Sequence, residues 1–88
     1  MMDIEEALEN AVRDHLKRNG YLPLTPRIFP KIKADVHAYA ISIKMDPEVV
    51  KNTINDVVNS WQQQGLCIVY DTINGDINLT DEGYKYFS

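Results

Sequence analysis

The stretch ADVHAYAISIKMDPEVVKNTINDVVNSWQQQGLCIVY, residues 34–70, decides the fold. Its central part predicts a helix over residues 46–64. Asp46 is a good N-cap residue, and Pro47 follows at the first helical position, where its missing N–H costs nothing. Gly65 is placed to end the helix. Between these limits the apolar residues recur at helical spacing and predict one buried face: Val50, Ile54, Val57, Val58 and Trp61.

Another helix is predicted just before this one, over residues 31–43, with a short separate helical turn at residues 26–29. The spacing of its apolar residues predicts a stripe that faces the core: Ile32, Val36, Tyr39, Ala40 and Ile43. Only Lys44 and Met45 separate the two helices. A link of this length allows nothing but a tight turn, so the two helices must bury their stripes against a third element.

That third element is a helix at the N-terminus, with acidic residues in its first turns and basic residues in its last, as the helix dipole favours. Its predicted stripe is Ile4, Leu8, Ala11, Val12 and Leu16. Asn19 and Gly20 stop it. Residues 21–24 then predict a short extended piece that pairs on the edge of a sheet.

After Gly65 the period of the sequence changes from helical to extended. Residues 66–70 are apolar and predict a strand, Asn74-Gly75 is a strong hairpin signal, and residues 76–79 alternate as a second strand should. Thr80 is placed to cap a final helical turn. The sequence therefore predicts a single α+β domain over residues 1–88, with three helices and a small antiparallel hairpin.

This order of elements resembles the winged helix-turn-helix superfamily over nearly the whole chain. Leu79-Thr80-Asp81-Glu82-Gly83 is similar to the L-T-x-x-G motif that follows the β-wing in many bacterial, archaeal and phage regulators. Residues 45–50 are similar to the S-P-E-T-V start of their recognition helices. One departure is Lys44, which stands where such regulators often carry glycine in the turn. The resemblance implies a homodimeric transcriptional regulator that reads duplex DNA with the helix over residues 46–64.

The charge distribution gives reasons both for and against DNA binding. The chain has a net charge of −4, whereas nucleic-acid-binding domains are usually basic. Residues 27–44 nevertheless carry four basic residues against one acidic residue. The hairpin, in contrast, carries Asp71 and Asp76 and no basic residue, which makes it a poor probe of the minor groove.

The candidate DNA-binding residues fall into two groups. Four basic residues are candidates for phosphate contacts: Arg27, Lys31, Lys44 and Lys51. Three amides lie on one face of the predicted recognition helix, and Asn can pair with the edge of adenine: Asn52, Asn55 and Asn59. The other interpretation of these amides is a solvated helix face, and the sequence alone leaves both open.

The alternative function is a protein-protein interaction module in a replication, repair or other assembly, which the acidic hairpin favours. For either function we expect a homodimer formed through the first helix and the C-terminal aromatic residues Tyr84, Tyr86 and Phe87.

Catalysis, metal binding and membrane insertion have little support in the sequence. His15 and His37 are the only histidines, and Cys67 is the only cysteine, in an apolar strand. These residues suggest neither a catalytic set nor a zinc site, so we expect no enzyme activity and no cofactor. A single cysteine excludes an internal disulfide, and no apolar run reaches the ~20 residues of a membrane span. We expect a cytoplasmic protein.

Overall fold

The computed structural model describes residues 3–20, 24, 27–71 and 75–88, of which Asp71 is described in its backbone only. These residues form four helices and a two-stranded antiparallel sheet, which confirms the α+β class and adds a fourth helix to the three predicted. In chain order the elements are α1 Ile4–Arg18, α2 Ile28–Ser42, α3 Pro47–Gln63, β1 Cys67–Asp71, β2 Asp76–Leu79 and α4 Asp81–Phe87.

Three predicted features lie mostly or partly outside the described residues. One is the Asn74-Gly75 hairpin signal, of which only Gly75 is described. The extended piece over residues 21–24 is described only at Leu24. The start of the helical turn over residues 26–29 is likewise not covered, while Ile28 and Phe29 belong to α2. In the described part of the chain, no helix is long and apolar enough to cross a bilayer.

Both predicted ends of α3 are confirmed. The Asp46 carboxylate accepts hydrogen bonds from the backbone N–H of Glu48 at 2.8 Å and of Val49 at 3.4 Å. At the other end Gly65 adopts a φ of 76°, and the N–H of Leu66 donates to the Trp61 carbonyl at 2.9 Å. This pairing closes the last turn in the manner of a Schellman motif. The predicted apolar face of α3 is buried throughout.

The turn between α2 and α3 places Lys44 in the left-handed region, with a φ of 68°. Lysine therefore adopts here a conformation that glycine adopts at lower cost. Its backbone N–H donates to the Ile41 carbonyl at 2.9 Å, and the N–H of Met45 donates to Ala40 at 3.1 Å. These bonds hold the turn in place despite the steric cost of a Cβ at positive φ.

The start and the stripe of α2 differ from the prediction. The helix begins at Ile28, three residues before Lys31, because Pro30 is tolerated in a first turn. Tyr39 and Ile43 are 47% and 40% exposed, so their predicted place in the core is wrong. The physical reason for Tyr39 is that α1 lies beside it with alanine side chains, which are too short to cover it.

The core is centred on Trp61, whose side chain is almost fully buried between α2 and α4. Its ring makes edge contacts with Phe29 and Phe87, at centroid distances of 6.2 and 5.0 Å. From α1 the buried residues are Ile4, Leu8, Val12 and Leu16, as predicted, while Ala11 is only partly buried. Aromatic pairs of this kind add about 0.5–1.5 kcal/mol beyond their buried area.

Hydrogen bonds of Thr80 hold the C-terminal helix against the end of α3. The Thr80 hydroxyl oxygen accepts from the Gly83 N–H at 3.1 Å, which confirms Thr80 as the cap of α4. The Thr80 N–H donates to the Leu66 carbonyl at 3.0 Å, and the Thr80 hydroxyl donates to the carbonyl of Gly65. At Gly83 a Cβ atom would lie 2.0 Å from the Leu66 oxygen, so only glycine fits there.

The sheet is a two-stranded hairpin with one face on the helices. Cys67 pairs with Leu79 and Val69 pairs with Ile77, and these four residues are buried or partly buried. The register shifts between Val69 and Asp71. The hairpin end at Gly75 lies close to Lys33 of α2.

Candidate nucleic-acid interface

Two neighbouring rows of residues spaced four apart lie on the exposed surface of α3. One row carries an amide between two acids, since Asn52 lies one turn from both Glu48 and Asp56. The other row is Lys51, Asn55 and Asn59, all exposed. The three predicted asparagines therefore fall into two different rows. Asn55 and Asn59 share a row with a lysine, whereas Asn52 lies between two carboxylates.

The Lys51 row borders a cleft between α3, α2 and the hairpin. The cleft has a volume of about 310 Å³ and is lined by Lys33, Asn55, Val58, Asn59, Val69 and Gly75. The Lys33 ammonium reaches the hairpin so closely that a Cβ atom on Gly75 would lie 2.0 Å from Nζ. It also lies 5.6 Å from the centre of the Phe29 ring. A cation thus lines the same cleft as two side-chain amides.

The electrostatic setting of Lys33 has two opposing parts. Partial burial lowers the pKa of the ammonium group, because a charged group loses hydration, and the charge of Asp76 raises it. Burial is the larger of the two. An anion entering the cleft would act in the same direction as Asp76 and favour the charged form of Lys33.

Asp76 does not provide the exposed negative charge that the hairpin is predicted to carry. Its side chain is 3% exposed, which makes it a buried structural carboxylate. It accepts hydrogen bonds from the N–H of Arg27 at 2.6 Å, from its neighbour Ile77 at 3.0 Å and from the Tyr70 hydroxyl. The prediction of an acidic hairpin surface is wrong for this residue, because the start of α2 packs over it. This carboxylate also holds Arg27 at a φ of 69° as the N-cap of α2.

The remaining predicted phosphate contacts lie in separate places. Arg27 is exposed at the start of α2, and Lys44 is exposed in the turn before α3. Lys31 instead lines a groove between α1 and α2, together with Arg18 and Asp14, and does not line the α3 cleft. The lysine that does line it, Lys33, is missing from the predicted set. Its position four residues after Phe29, a core aromatic on the α3 side of α2, is the sequence signal that could have found it.

The C-terminal aromatic residues make most of their contacts within one chain. Phe87 is 1% exposed, and the Tyr86 hydroxyl donates to the Glu9 carboxylate of α1. That hydrogen bond raises the pKa of Tyr86, since it favours the protonated phenol. The guanidinium of Arg13 lies 5.6 and 5.8 Å from the Tyr86 and Phe87 ring centres. The C-terminal part of the predicted dimer surface is therefore mostly a contact between α4 and α1 of one chain.

The cysteine of β1 is not placed to act as a nucleophile. Cys67 is buried, and burial raises the pKa of its thiol to about 11. A thiol held in this state is a small hydrophobic side chain rather than a nucleophile. Within the described ranges, no three His, Cys, Asp or Glu residues are grouped as a metal site.

Comparison of the chain with protein-family models, with curated proteins and with solved structures finds no match.

Proposed function

We propose that this chain is a winged helix-turn-helix protein that binds duplex DNA, with α3 as the recognition helix and the β1–β2 hairpin as the wing. The observation that carries the proposal is the cleft in which Lys33 lies beside Asn55 and Asn59. A cation and neutral amides side by side suit a partner that presents phosphates next to base edges.

The lysines and the asparagines in and around the cleft have different roles in this proposal. Lys33 and Lys51 attract the phosphate backbone, which orients the protein without reading sequence. Asn55 lies one turn after Lys51 and lines the cleft with Lys33, and its amide can pair with N6 and N7 of adenine in the major groove. Asn52 is the weaker candidate for base contact, because the neighbouring Glu48 and Asp56 repel phosphates.

The decisive experiment is a titration of the folded protein with a labelled random-sequence duplex, followed by fluorescence anisotropy. We expect weak binding at about 50 mM salt that falls steeply towards 200 mM, because counterion release dominates. Lys33→Gln should reduce the slope of log affinity against log salt by about 1. Lys85→Gln, an exposed lysine on α4, is the matched control and should change it little. Absence of binding by the folded protein at low salt would overturn the proposal.

Sequence preference tests Asn55 separately. After selection of a preferred duplex from a random pool, Asn55→Ala should reduce the preference by about 1–3 kcal/mol, as expected for loss of a bidentate contact. Asn78→Ala on the exposed face of β2 is the control. Equal preference in the wild type and in Asn55→Ala would exclude base contact by this residue.

The alternative, a winged-helix module that binds a protein, has one observation in its favour. Val49 is 54% exposed in the first turn of α3, at the front of the proposed recognition surface. The burial of Asp76 removes part of the acidic surface on which this alternative depends. A folded chain without DNA affinity, together with a partner whose binding is lost in Val49→Ser, would support it.

A further inference from the structure

The groove between α1 and α2 has a polar part and an apolar part. The polar part has a volume of about 380 Å³, and its lining includes Ala11, Asp14, Arg18, Lys31, Ile32 and Asp35. The apolar part, of about 360 Å³, continues from Asp14 and Asp35 to Ala7 and Tyr39. We refer to the two parts together as the α1–α2 groove. Among the described residues, it shares none of its lining with the α3 cleft.

The charged side chains of the polar part lie in like pairs across the groove. On α1, Arg18 follows Asp14 by one helical turn, and on α2, Asp35 follows Lys31 by one turn. Asp14 and Asp35 line both parts of the groove, whereas Arg18 and Lys31 line the polar part alone. The two helices therefore run in opposite directions, with carboxylate opposite carboxylate at one level and cation opposite cation at the next.

These four side chains do not neutralise one another. In the described part of the chain, none of them forms an ion pair, and the Arg18 Nε donates to the backbone carbonyl of Asp14 at 3.3 Å rather than to a carboxylate. Like charges that face each other repel. A ligand with a positive group between the two carboxylates and a negative group between the two cations would remove both repulsions.

We infer that the α1–α2 groove binds a free α-amino acid with an apolar side chain. Its ammonium group lies between Asp14 and Asp35, and its carboxylate lies between Arg18 and Lys31. An α-amino acid carries these two charges on neighbouring atoms, and the groove presents their partners one helical turn apart. A peptide terminus, in contrast, carries only one of the two charges.

The apolar part of the groove indicates the side chain of the ligand. Tyr39 lies one turn beyond Asp35, on the side away from Lys31, and its ring is 47% exposed. Aromatic rings favour edge contacts with one another, so phenylalanine is the ligand that we expect to fit best. Because α3 does not line this groove, amino-acid binding is measured without DNA and does not depend on the proposed function.

The first test is a titration of isotope-labelled protein with L-phenylalanine, followed by the backbone amide signals in NMR spectra. We expect saturable shifts centred on Asp14, Asp35 and Tyr39, with a dissociation constant of about 1 mM or lower. L-phenylalaninamide lacks the carboxylate and N-acetyl-L-phenylalanine lacks the ammonium group, so each should bind about tenfold more weakly. Absence of shifts at about 10 mM phenylalanine, or equal affinity for either analogue, would overturn the inference.

Two substitutions test the site itself. Asp35→Asn and Lys31→Gln should each lower the affinity for phenylalanine by about tenfold, because one charge of the ligand loses a partner. The matched controls are Asp56→Asn on α3 and Lys85→Gln on α4, exposed positions outside the groove that should bind as the wild type does. Circular dichroism verifies that each variant is folded. A folded Asp35→Asn protein with wild-type affinity would exclude this site.

Discussion

Replacement of Gly83 by alanine tests the close contact between α4 and Leu66, which follows the end of α3. At an open helical position this change stabilises by about 1 kcal/mol, because alanine has the higher helix propensity. Here the new Cβ would lie 2.0 Å from the Leu66 oxygen and 3.0 Å from its carbonyl carbon. Backbone atoms cannot yield as a flexible side chain does. Either the Thr80–Leu66 hydrogen bond breaks or α4 moves off the core.

The expected loss can be estimated from these two outcomes. Overpacking of this kind costs about 1–3 kcal/mol, and loss of a backbone hydrogen bond costs about 1 kcal/mol more. After subtraction of the propensity gain, we expect Gly83→Ala to lower the free energy of unfolding by about 1–3 kcal/mol.

Urea unfolding followed by tryptophan fluorescence is the appropriate assay. Trp61 is the only tryptophan and contacts Phe87 of α4, so its emission reports on the displaced helix. Lys85→Ala, an exposed position on the same helix, is the control and should change stability little. A Gly83→Ala protein as stable as the wild type would refute the close approach of α4 to Leu66.

Three further predictions concern stability. Asp76→Ala should lower the free energy of unfolding by about 2–4 kcal/mol, because the Arg27 N–H loses its acceptor. In the same urea assay Asp76→Asn should lower the free energy of unfolding by a smaller amount. Lys44→Gly should raise the free energy of unfolding by about 0.5–1 kcal/mol, since glycine adopts positive φ without a Cβ penalty. An unchanged melting temperature would contradict this prediction. Stability should fall as the pH rises from 9.0 towards 11, because the unfolded Cys67 thiol loses its proton there while the folded thiol keeps it. In Cys67→Val this part of the fall should be absent from urea titrations across that range.

Local signals account for the elements that the sequence predicts well. The two ends of α3 depend on Asp46, Pro47 and Gly65, whose effects act within one turn of the helix. The cap of α4 at Thr80 is equally local. Such features can be inferred from a few adjacent residues, and the structure confirms each of them.

Features that depend on distant residues are the ones the sequence does not predict. The start of α2 is held by Asp76, 49 residues away along the chain, so no local pattern reveals it. The exposure of Tyr39 depends on the alanines of α1 that lie beside it. Lys33 lines the α3 cleft beside the hairpin end at Gly75, a neighbour 42 residues further along the chain. In each case a contact between separate elements determines the result.

The buried Asp76 carboxylate also determines how this part of the molecule opens. The Asp76 side chain belongs to β2 and accepts a hydrogen bond from Arg27 at the start of α2, so the two elements cannot separate without breaking that bond. Local unfolding should therefore release them as one cooperative unit. In native-state hydrogen exchange, the amides of Arg27 and Ile77 should share one opening free energy, although 50 residues separate them in the chain.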